Sequence, residues 1–170
     1  MKRSLALLVV AALVAGALLS TSSANAARIT HRVSVGSSDA VIFPPGTDAN
    51  FSLIATQSAD GTVRGQWHDQ FGGHGPGAPL VGQFVHVEVN CLVVVGNEAW
   101  LSGTIKVASK DLAEFVGTTA FTRVRDNGTS ANDPQDQISF TFFGFPPDLD
   151  CEDMLDLPLF DLNNGEVKVS

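Results

Sequence analysis

The stretch that most restricts the fold is "VHVEVNCLVVVGNEAWLSGTIKV", residues 85–107. Two apolar, β-branched runs flank Gly96-Asn97, and polar residues recur at every second position of the first run. A period of two sends successive side chains to opposite faces, which is the signature of a strand and not of a helix. Two such runs around a turn make a hairpin, whose register follows from which side chains share a face. A two-residue turn would pair Val93 with Trp100 and Glu88 with Ile105, mixing polar with apolar. A three-residue turn over 96–98 pairs Val93 with Leu101, Cys91 with Gly103 and Val89 with Ile105. It keeps one face apolar and sets Glu88 opposite Lys106, so it is the predicted register. It turns Cys91 inward and leaves Phe84, His86, Glu88, Asn90, Val94, Trp100 and Lys106 on the other face.

"ATQSADGTVRGQW", residues 55–67, reads as a second hairpin. Asp60-Gly61 suits a type I′ turn, which would place Ile54 opposite Trp67. Further strands are predicted over 29–35, 51–58, 62–68, 84–95, 99–107, 116–125, 137–145 and 166–169, with helical turns only at 109–115 and 151–157. Short strands at this spacing predict an all-β chain: a single antiparallel β-sandwich or small closed β-barrel with one or two short helical turns.

The N-terminus sets the compartment. Lys2 and Arg3 precede the apolar run Leu5 to Leu19, and Ala24 and Ala26 form an A-x-A site. This predicts a signal peptide over residues 1–26, cut after Ala26, and a secreted β domain over 27–170. The run falls short of the ~20 residues a spanning helix needs, so no membrane insertion is expected after cleavage. Cleavage removes 26 of 170 residues and two bases, leaving 144 residues with 8 Lys+Arg against 18 Asp+Glu, a net charge of about −10. Such a surface disfavours nucleic acid and anionic lipid. Cys91 and Cys151 both fall in the exported part, where an even pair predicts a disulfide. Closing that loop stabilises a fold by roughly 4 kcal/mol in the chain-entropy picture.

Three groups of side chains could carry chemistry. His68, Asp69, His86 and Glu88 offer imidazole and carboxylate ligands for a metal, or acid and base groups, with His74 in the Gly-rich loop nearby. Their ordinary alternative is a set of surface polar residues. The loop "DNGTSANDPQD", residues 126–136, supplies hard oxygen ligands at Asp126, Asn127, Thr129, Asn132, Asp133 and Asp136. That composition suits Ca2+, although the loop lacks the order of an EF-hand. The same residues also serve ordinary turns, with Asn and Asp side chains answering nearby backbone N–H groups. Arg123 and Arg125 share one strand face beside that loop, as an anion clamp or as partners of its carboxylates. No G-x-S-x-G elbow is present, and two Trp with no Tyr make a thin set of sugar platforms.

"SADGTVRGQWHDQFGG", "VHVEVNCLVVVGNEAWLSGTI" and "TRVRDNGTSANDPQDQISF" together resemble a family of short secreted bacterial β-rich proteins of undefined function, over roughly residues 58–145. The resemblance implies an exported β-rich domain, sometimes attached to larger surface proteins, and carries no catalytic residues to transfer. The expectation is an exported non-catalytic binding or structural module with an unknown extracellular ligand and no cofactor. The alternatives are a secreted metal-dependent or acid/base enzyme using His68, Asp69, His86 and Glu88, and a calcium-stabilised surface module.

Overall fold

The computed structural model describes residues 28–40, 50–71, 80–130, 132–139 and 141–170; the expected leader and His74 lie outside them. Nine strands are present among the described residues: β1 (Ile29–Ala40), β2 (Asn50–Ser58), β3 (Val63–Gln70), β4 (Phe84–Val95), β5 (Glu98–Ala108), β6 (Thr119–Arg125), β7 (Gln137–Ile138), β8 (Phe142–Phe143) and β9 (Phe160–Val169). Each of β1 to β6 pairs antiparallel with the next. β6 then pairs with β7, β7 with β9, and β9 returns to β1. This cycle of eight strands closes the sheet on itself, while β8 pairs with the first half of β6. Closure leaves the ring without long open edges. Two short 3-10 turns, Lys110–Phe115 and Cys151–Asp153, stand where helical turns are predicted.

Alternation decides what fills the ring. Phe51, Leu53 and Ala55 of β2, Trp67 of β3, and Val85, Val87 and Val89 of β4 are buried, and their chain neighbours face outward. Each fully buried Val, Leu or Phe side chain stabilises by about 1.5–3 kcal/mol relative to exposure.

Both hairpins depart from their predicted registers. At the first, Leu53 faces Trp67 and Gln57 faces Val63. Gly61 N–H donates to the Ser58 carbonyl at 2.9 Å, and Gly61 alone at this turn has positive φ, 82°. This is a type I turn followed by a left-handed glycine, not a type I′ turn. The extra loop residue shifts the pairing by one, brings Trp67 inside with Leu53, and leaves Ile54 outside. The second hairpin has the two-residue turn after all, with Val95 facing Glu98 and Val93 facing Trp100. The polar–apolar mismatch that argued against it is removed by a bulge: the register slips between Val89 and Cys91, so that Val87 faces Ile105. One extra residue on a bulged strand reverses the facing of everything beyond it. Val85, Val87 and Val89 therefore point inward before Asn90, and Leu92 and Val94 do so after it. Cys91 is not a core residue; it lies on the outer face.

That outer face carries a second layer. The Cys91–Cys151 disulfide is formed, and it ties the segment that follows β8 across β4 and β5. Trp100 Nε1–H donates to the Leu155 carbonyl at 3.1 Å, and Phe121 meets Phe145 edge-on at 5.2 Å. Phe121, Cys151 and Leu157 are buried there, outside the ring.

Gly103 marks a tight crossing, beside the bulge. A Cβ at this position would press on the Glu88 carbonyl oxygen and lie 2.9 Å from Val87 Cγ1, whereas one at Gly36 on β1 would meet nothing within 4 Å. Gly103→Ala is expected to destabilise by about 1–3 kcal/mol, the usual cost of overpacking. Gly36→Ala should be near neutral, and urea midpoints of the two variants check the contrast.

Candidate functional site

His68 on β3 and His86 on β4 are direct cross-strand partners, and their ring centroids lie 4.2 Å apart. Phe84 packs against both, at 5.8 Å from His68 and 5.4 Å from His86. His68 is half-buried, and its Nδ1 has no hydrogen-bond partner among the described residues. Burial first, and the neighbouring His86 second, push the His68 imidazole below its ordinary pKa. Glu88 shares this face and pairs with Lys106 at 2.9 Å, so the predicted neighbourhood of those two charges is found despite the changed register.

Asp69 is elsewhere. Adjacent strand residues face opposite sides, so Asp69 points into the ring while His68 points out. The four residues predicted as one metal or acid/base group are thus divided by the sheet. Among the described residues no group of three or more His, Cys, Asp or Glu could hold a metal ion.

Inside, Asp69 is fully buried. One carboxylate oxygen accepts from Thr141 N–H at 3.1 Å, and the other has no partner among the described residues. Trp67 Nε1–H donates to the Thr141 hydroxyl at 3.0 Å, joining the same polar island. Burial raises the Asp69 carboxyl to about 6, against the lowering effect of Thr141.

The loop over 126–136 is tied down by its own acids. Asp136 accepts from Asn127 N–H at 2.8 Å and from Val167 N–H of β9 at 2.7 Å. Asp126 accepts from Gly128 N–H and from Val169 N–H, each at 3.0 Å. Asp133 accepts from Ser130 N–H at 2.8 Å, and the Asn127 amide donates to the Gln135 carbonyl. Asn132 N–H reaches the Ser130 hydroxyl at 3.4 Å, closing a local turn. The loop's three aspartates are therefore occupied as acceptors for backbone N–H groups.

Arg123 and Arg125 do not pair with that loop. Both converge on Glu98: Arg123 Nε and Nη2 donate to one carboxylate oxygen at 2.9 and 2.7 Å, and Arg125 Nε donates to the other at 2.7 Å. Arg123 also holds Asp156 at 2.8 Å and lies over the Trp100 ring, and Arg125 binds Gln137. Burial raises the Glu98 carboxyl, but the hydrogen bonds from the two arginines outweigh it and leave its pKa below the ordinary value. The two cations bind the strands together and are not open as an anion clamp. Glu98 was hidden in the sequence by its assignment to the turn; with the shorter turn it faces Arg125 directly.

A groove of about 870 Å³ crosses the outer face of β2 to β5. Its outward side chains include Ser52, Ile54, Gln66, His68, His86 and Glu88. Gly65 lies in its floor, where a Cβ would strike the neighbouring strand's backbone. Ser52, Ile54 and Gln66 were not singled out by sequence; their alternation with buried neighbours was the available signal. No protein-family model, curated protein or solved structure matches this chain, so its site is assigned from its own residues.

Asp69 sets a pH dependence with a definite sign. The folded state holds its proton up to about pH 6, and the ordinary value is 3.8. The associated stability is complete below the ordinary value and is lost as pH rises through the folded one. Two pKa units correspond to about 3 kcal/mol. Asp69→Asn keeps an acceptor for Thr141 and removes the charge, so urea unfolding across this window should show the variant losing about 3 kcal/mol less than the native protein. Superimposable pH profiles would contradict the burial of an ionisable Asp69.

Proposed function

We propose that the protein is an exported, non-catalytic binding module that takes a polar extracellular ligand along the outer groove of β2 to β5. The observation that carries this reading is the groove itself. The inside of the ring is packed with side chains, and the outer face across Ser52, Gln66 and His86 combines hydrogen-bonding groups with the exposed Ile54. Concave surfaces with a few convergent polar groups are the usual places for ligands. Export is supported by the leader-like N-terminus, by the resemblance of residues 58–145 to short secreted bacterial proteins, and by the Cys91–Cys151 disulfide. The acidic net charge supports a partner other than nucleic acid. The division of His68 and His86 from Asp69 favours binding over acid/base catalysis.

Amide chemical-shift mapping with a library of small polar fragments tests the reading. Perturbed amides are expected to cluster at Ser52, Ile54, Gln66 and His86. Ile54→Arg, which places a long cationic side chain over the groove, should abolish them without changing the fold. Perturbations gathered on the 126–136 loop, or none on β2 to β4, would overturn the assignment.

A further inference from the structure

We propose that His68 and His86 form a binding site for a late first-row divalent transition metal such as copper(II), held by the two imidazoles with Glu88 beside them. The inference goes beyond the groove reading: the two histidines could bind a metal even if no organic ligand entered the groove.

Three observations converge. The backbone places the two residues at the same register on neighbouring strands, so both rings leave the sheet on one face and meet with centroids 4.2 Å apart. Neither ring is engaged in a hydrogen bond or ion pair among the described residues, and one His68 nitrogen is sheltered without a partner. Phe84 packs against both rings, which limits their rotation without occupying a nitrogen. No hydrogen bond joins the two rings, and a cation bound to one nitrogen of each would link them.

The donor set selects the class of ion. Imidazole suits copper, nickel and zinc, and affinity rises toward copper(II) among divalent ions of this row. Calcium and magnesium prefer oxygen ligands. Glu88 lies two residues from His86 on the same face, and its pairing with Lys106 leaves both side chains more than half exposed, at 62% and 56%. With only two imidazoles fixed, water would complete the coordination, so the site is an open one and not a closed structural tetrahedron.

Calorimetric titration of the purified, disulfide-bonded protein with copper(II), near neutral pH in a non-chelating buffer, tests this. One equivalent is expected to bind. His86→Gln and His68→Gln should each weaken binding about tenfold or more, at least the loss seen when only the outer partners of metal ligands are removed. His31→Gln should leave it unchanged. His86 is exposed, so its variant retains the fold, and an unchanged thermal midpoint without metal verifies this. Absence of stoichiometric binding, or equal affinity in His86→Gln, would overturn the proposal.

Discussion

Closing a sheet requires partners along both sides of every strand, and the last strand to be placed meets this demand with carboxylates. β9 lies between β1 and a neighbour that is only two residues long, since β7 contributes just Gln137 and Ile138 to the pairing. Beyond that contact the N–H groups of Val167 and Val169 would have no ladder partner. Asp136 and Asp126 supply the missing acceptors. An unsatisfied buried N–H costs about 1–3 kcal/mol, and a bond to an ionised acceptor is stronger than a neutral one. The acidic loop thus acts as a side-chain substitute for a strand, and the ring's continuity depends on it.

From that closure the division of the molecule follows. A closed ring has an inside, which the chain fills with side chains at alternate positions, and an outside that is then open to specialisation. One outer sector, over β4 to β6, is covered by the segment tied through Cys91–Cys151 and organised around Glu98 with its two arginines. The other, over β2 to β5, stays open and carries the groove with the paired histidines. The same alternation that buries Trp67 exposes His68, and the same bulge that returns Leu92 to the core turns Cys91 toward the tail. The outward His68 and the inward Asp69 are separated by the thickness of one sheet.

The run from 137 to 145, expected as one strand, is divided into β7 and β8, and β9 begins at Phe160 where only 166–169 is expected. The other strands, the short 3-10 turns and the disulfide are legible in the sequence, because each rests on a local period or a simple count. The registers are less so. A glycine after Asp60 suits two turn types, and a bulge at Asn90 leaves no compositional mark, yet each moves the pairing by one residue. The site is harder still. His68 and Asp69 are adjacent in sequence, and strand geometry alone separates them; the grouping of four residues fails on that elementary point. The roles of Asp126 and Asp136 depend on contacts with residues 43 and 31 positions away. No local pattern could reveal that their oxygens are taken by β9. The loop's length was a real signal, and its cause is the width of the gap that it fills.

Amide hydrogen exchange at Val167 and Val169 tests this account most directly. In the native protein both amides should be protected as strongly as Val87 in the core. Asp136→Ala should release Val167 selectively and lower global stability by about 2–4 kcal/mol, as two N–H groups lose their acceptor. If Val167 exchanges equally slowly in Asp136→Ala, the carboxylate is not what completes the ring, and the central claim fails.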